Sequence, residues 1–190
     1  MKYILIILSL LPFAAHAESI APWPMSARIQ NIISAVGMNW NSSGNFKAVL
    51  VRQNEYAALY IYRGPFDQTP LVYAPHAAIT GDYWASIPWL EFDEGGALLL
   101  HSENRSHGRN KWESTLTIIE QNNRFIVSAY TYSSYDSLNP DDQTDCNIDL
   151  LTQTMTVNNK PVEPFPLPLE VEIEDWTETL SGSCYEARQQ

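Results

Sequence analysis

The chain has 190 residues; after a leader is set aside, roughly 170 remain, enough for one domain with a real core and few for two. Hydrophobic residues make up 45%, aromatics 12% and tyrosine 10 positions, which excludes compositional disorder. Acidic residues outnumber basic ones 22 to 11, a formal charge of -11, so nucleic-acid phosphates and anionic lipid headgroups are repelled and neither is expected as a partner.

Residues 1–17 read as a secretory signal peptide. Lys2 supplies the positive charge, residues 4–13 the apolar run, and Ala15 and Ala17 the small positions a signal peptidase reads, with cleavage after Ala17. A membrane anchor needs about 20 apolar residues, whereas Pro12 and His16 interrupt this run. No later stretch is long enough to span, and the mature chain is expected in the periplasm or outside the cell. Losing Lys2 takes the charge to about -12 by the same counting. Such acidity suits a basic protein partner, and it also serves simply to keep an exported protein soluble.

Pro24 is placed to open a helix, and over residues 25–36 Met25, Ile29, Ile32, Ile33 and Val36 recur at steps of three and four. That spacing predicts one amphipathic helix capped by Gly37 and followed by a loop to residue 45. The helical period then stops. Residues 46–52 and 56–63 read as strands around a turn at residues 53–55, with Tyr56, Ala58, Tyr60 and Tyr62 on one face. Strands are also expected over 69–74, ending before Pro75, over 85–92 as an edge containing Pro88, and over 97–101 after a turn at 93–96.

The clearest hairpin joins residues 112–119 to 124–132, where period-two alternation flanks Asn122-Asn123, a pair able to take the positive φ that a two-residue turn requires. Asn158-Asn159 repeats the device between strands over 151–157 and 160–162. A solvated turn is expected from Asn139-Pro140, and prolines at 161, 164, 166 and 168 forbid regular pairing in an extended acidic tail from about residue 161. The total is about seven or eight strands and one helix, a mainly β domain over residues 18–190 built as an antiparallel sheet, a sandwich or an open barrel. Cys146 and Cys184, alone in an oxidising compartment, pair most simply with each other and stabilise the fold by about 2 to 4 kcal/mol.

The run from Ser102-Glu103-Asn104 through Gly108-Arg109, Trp112, residues 115–118, Tyr130-Thr131-Tyr132 and Tyr135-Asp136, continuing to Cys146 and residues 150–152, resembles a group of small secreted proteobacterial proteins. The likeness extends upstream to residues 48–51 and 59–62 and downstream to Trp176 and Cys184. It implies an exported β-rich domain and assigns no activity. The early strand pair also faintly resembles the repeat units of extracellular β-propellers, but their aspartate-rich calcium loop is absent.

Candidate chemistry gathers between His101 and Asp136. A carboxylate beside an imidazole, Glu103 with His101, is able to do general acid-base work, and a hydrolase is the alternative reading. Arg109 paired to Glu103 as a loop anchor explains the same residues without catalysis and is preferred. His76, His101 and His107 lack the spacing of a zinc protease, and Asp141, Asp142, Asp145 and Asp149 lack the pattern of a calcium loop, so no metal or cofactor site is read. Tyr130 and Tyr132 share a face of their strand, and an aromatic face with polar tips suits a protein partner or a carbohydrate. The expected binding residues are therefore His101, Glu103, Asn104, Arg109, Tyr130, Tyr132, Tyr135 and Asp136, in a protein that binds rather than catalyses.

Overall fold

A computed structural model describes residues 31–39, 44–64, 69–81, 86–177 and 182–184. Eleven strands run along the chain: β1 (Ile32–Asn39), β2 (Asn45–Gln53), β3 (Tyr56–Arg63), β4 (Val72–Ile79), β5 (Trp89–Phe92), β6 (Leu98–Asn104), β7 (Asn110–Gln121), β8 (Arg124–Asp136), β9 (Asn139–Asp149), β10 (Thr154–Val157) and β11 (Lys160–Pro161). They form two antiparallel sheets, one of four strands in the order β1-β2-β3-β4 and one of seven in the order β11-β10-β9-β8-β7-β6-β5. No closed barrel is formed among the described residues.

β6 and β10 alternate as a half-buried sheet requires, whereas β2 and β3 are buried on both faces, Val49, Val51 and Tyr62 forming a small second cluster on the side away from the main core. Ala48, Leu50, Leu59 and Ile61 of the smaller sheet and Leu98, Leu100, Leu116, Ile118, Ile148 and Met155 of the larger one join a single core between the two. Phe46 meets Phe125 edge-to-face across that core, with ring centroids 5.6 Å apart. At the sheet edges, the Leu90 amide of β5 donates to Ser34 Oγ of β1 at 3.1 Å.

The turns follow backbone chemistry. Asn122 and Asn123 have φ of 57° and 66°, and Asn158 and Asn159 have φ of 50° and 62°, so both asparagine pairs close two-residue hairpins in the left-handed conformation their short side chains tolerate. Ser128 is an extra residue in β8, since Thr117 faces Ala129 while Ile118 faces Val127. This bulge switches the inward set from Phe125 and Val127 to Tyr130 and Tyr132 without breaking the core.

Several sequence expectations change. The helix over 25–36 does not reach Val36, because Ile32 onward is β1; residues 25–30 and the signal peptide lie outside the described residues. The β-branched side chains that fit a helical stripe fit a pleated strand equally well. Gly37 continues β1 rather than capping a helix, with the Phe46 carbonyl 3.9 Å from where its Cβ would stand. Pro75 does not end its strand: it sits in β4, an edge, beside the register shift that sets Ala57 and Leu59 opposite Ala78 and Ala74. The turn expected from Asn139 is instead strand β9, and residues 151–153 form the turn before β10. The count thus rises to eleven because β1 and β9, neither expected as a strand, join the sheets.

The tail behaves as expected in avoiding a regular ladder, yet it belongs to the core. Leu167, Val171, Ile173 and Trp176 are buried, and the Val127 amide donates to the Val171 carbonyl at 2.9 Å. Cys146 and Cys184 form the disulfide, both almost fully buried. No helix among the described residues is long and apolar enough to cross a membrane, which does not bear on β-barrels.

Candidate functional site

The even-numbered residues of β6 and β9 face the core, so their odd-numbered neighbours face outward. Register then assembles two rows across the outer face of the seven-stranded sheet. One runs Trp89, His101, Thr115, Thr131, Asn147, Thr156, and the other Glu103, Glu113, Ser133, Asp145. All of these except Thr156 line an open depression of about 670 Å³, to which Asn159 and Arg105 also contribute.

Glu103 and Glu113 face each other directly on neighbouring strands, an arrangement that repels. Arg105 relieves it, with Nε 2.7 Å from Glu103 and Nη2 3.3 Å from Glu113, and Ser133 Oγ donates to Glu113 at 3.4 Å. Asp145 makes no ion pair among the described residues. Glu103, Glu113 and Asp145 against Arg105 leave the floor of the depression acidic.

At the other end of the first row, the indole of Trp89 stacks on the imidazole of His101, centroids 4.9 Å apart and planes 17° from parallel. His101 Nδ1 lies 2.9 Å from Thr115 Oγ1, and its Nε2 lies 3.6 Å from Glu91. The ring is therefore clamped, and Trp89 is still 37% exposed.

The remaining expected site residues lie elsewhere. Arg109 does not pair with Glu103: it forms a two-point ion pair with Asp136, whose Oδ1 also accepts the Leu138 amide at 2.9 Å. Asn104 donates to the carbonyls of His107 and Asn110 and accepts the His107 amide at 2.9 Å, folding the β6–β7 loop onto itself. Tyr130 and Tyr132 share a face as expected, but it is the inner one, and Tyr130 packs on Trp176 with centroids 5.3 Å apart. Tyr135 is exposed and lies off the depression. Of the expected residues, the side chains of His101 and Glu103 come together on the outer face. Sequence reading missed Trp89 and Arg105 as their companions; Glu113, close to Glu103 in the chain and opposite to the core residues in the alternation of β7, and Asp145 were legible but are not among the expected binding residues.

On the smaller sheet, Tyr60 and Tyr62 share a face, and Gln53 joins the hydroxyls of Tyr60 and Tyr73 at 3.0 and 3.2 Å. Burial, then the neighbouring Tyr73, pushes the Tyr60 phenol up to about 12.

The Asp136 carboxyl is held below its ordinary range, first by the hydrogen bond from Arg109. A depressed carboxylate contributes stability that is present above the unfolded value, about 3.9, and lost as pH falls through the lower folded value. Asp136→Asn is thus expected to lower the melting temperature at pH 5 to 7, with the gap to the parent closing below about pH 4. A gap unchanged at pH 2 assigns the effect to shape instead of charge.

Comparison with protein-family models, with curated proteins and with solved structures finds no match. The functional reading accordingly rests on the geometry of the outer face.

Proposed function

We propose that this chain is an exported binding module, of the inhibitor or envelope-interaction type, which docks a basic protein on the outer face of its seven-stranded sheet. The carrying observation is the acidic floor of the depression, where Glu103, Glu113 and Asp145 are set against the single guanidinium of Arg105. The overall charge of -11 points the same way, since complementary fields speed encounter and select partners. Export, and membership of the secreted proteobacterial group, are supported by the leader pattern, the motif run and the disulfide.

The hydrolase reading centred on Glu103 and His101 is less favoured. The Glu103 carboxylate is taken up by Arg105 at 2.7 Å, and the contacts of His101 are Thr115 and Glu91 instead of Glu103. A carbohydrate reading would place a sugar on Trp89 beside the threonine row.

The test is retention of basic proteins from a native envelope extract on the immobilised mature chain. Retention is expected to fall at least about tenfold as salt rises from about 0.05 to about 0.5 M, and to be lost in a Glu103→Lys/Glu113→Lys variant that melts like the parent. Retention indifferent to salt and to that variant contradicts the proposal.

A further inference from the structure

Within the docking face, and resting on that reading of it, we infer that the partner presents an arginine whose guanidinium lies flat on the indole of Trp89. The platform is preformed. Trp89 stands on an edge strand with one face backed by His101 at 4.9 Å, and His101 is itself held 2.9 Å from Thr115. Its exposed ring surface requires little reordering to accept a cation.

Glu91 follows two residues later, so its side chain shares that face. Its carboxylate is 56% exposed and lies 3.6 Å from His101 Nε2, too far for a hydrogen bond. A guanidinium on the indole thereby gains a carboxylate for its forked donors, a combination the compact, strongly hydrated ammonium of lysine does not match.

A second contact sets the spacing of the ligand. From Trp89 to Asp145 is four strand steps sideways and one two-residue step along the sheet, about 20 Å at ordinary sheet dimensions. An extended segment covers about 20 Å in six residues, and its side chains at i and i+6 project to the same side. The segment therefore carries its arginine at i, on Trp89, and a second cation at i+6, on Asp145.

The experiment titrates the mature chain at low salt with three nonapeptides of glycine and serine. They bear arginines at positions 2 and 8, lysines at 2 and 8, or arginines at 2 and 5. The first is expected to bind at least about tenfold tighter than either other, a difference of about 1.4 kcal/mol. Trp89→Ala should abolish the preference for arginine over lysine, Trp89→Phe should keep part of it, and Glu91→Gln should weaken it; melting curves establish that each variant is folded. Equal binding of the arginine and lysine peptides, unaffected at Trp89 but lost in Glu103→Lys/Glu113→Lys, overturns the guanidinium inference and leaves the docking face standing. Binding of a neutral oligosaccharide at Trp89 with no peptide binding overturns both, as does binding of neither.

Discussion

Trp176→Ala is expected to cost about 3 to 5 kcal/mol, the range for removing a buried tryptophan. Trp176 is 6% exposed and closes over Tyr130 on the inner face of the larger sheet. The segment before it is sewn down by Ile173, which is fully buried, by the bridge between Ile126 and Glu172, and by ion pairs from Arg124 to Glu170 and Glu172. Surface ion pairs of that kind contribute little alone, so the indole and its apolar neighbours carry the closure. The measurement is a urea unfolding curve in which the midpoint falls and the slope stays constant. A loss below about 1 kcal/mol places the tail outside the cooperative core.

Cys146→Ser with Cys184→Ser is the second large effect. The disulfide spans 38 positions, and releasing a loop of that length costs about 4 kcal/mol in the chain-entropy account. It also releases residues 182–184, whose Cys184 is fully buried. The two losses therefore share a cause, and a double-mutant cycle is expected to show the triple variant losing less than the sum by about 1 kcal/mol or more. Strict additivity indicates that the bridge and the indole hold separate parts of the fold.

What could be read from the sequence was what local chemistry determines. Asn122-Asn123 and Asn158-Asn159 announce their turns because asparagine tolerates positive φ. The helix assigned through Ile32 and Val36 failed because an isoleucine-rich run satisfies a period of three to four and a pleat alike. In β9 the aspartates drew attention to a turn, although buried Thr144, Cys146 and Ile148 alternate with exposed Gln143, Asp145 and Asn147 at the period of a strand.

The candidate site was less legible because register makes it. His101 and Glu103 stand out in the sequence, but nothing local places Trp89 opposite His101 or Asp145 opposite Ser133. Arg109 and Asp136 are 27 positions apart and meet only because β7 and β8 are long enough to bring residue 110 opposite residue 136. The extra Ser128 within that hairpin had no sequence signal, yet it decides which tyrosines turn inward.

The central claim, that a basic partner docks on the outer face of the seven-stranded sheet, is tested most directly by mapping amide chemical shifts of residues 18–190 during titration with the double-arginine nonapeptide at low salt. The account predicts perturbations along Trp89, His101, Glu103, Glu113, Thr131 and Asp145 that vanish at high salt. Perturbations gathered instead around Tyr60 and Tyr73 on the smaller sheet, or at Tyr135 and Leu138, contradict it.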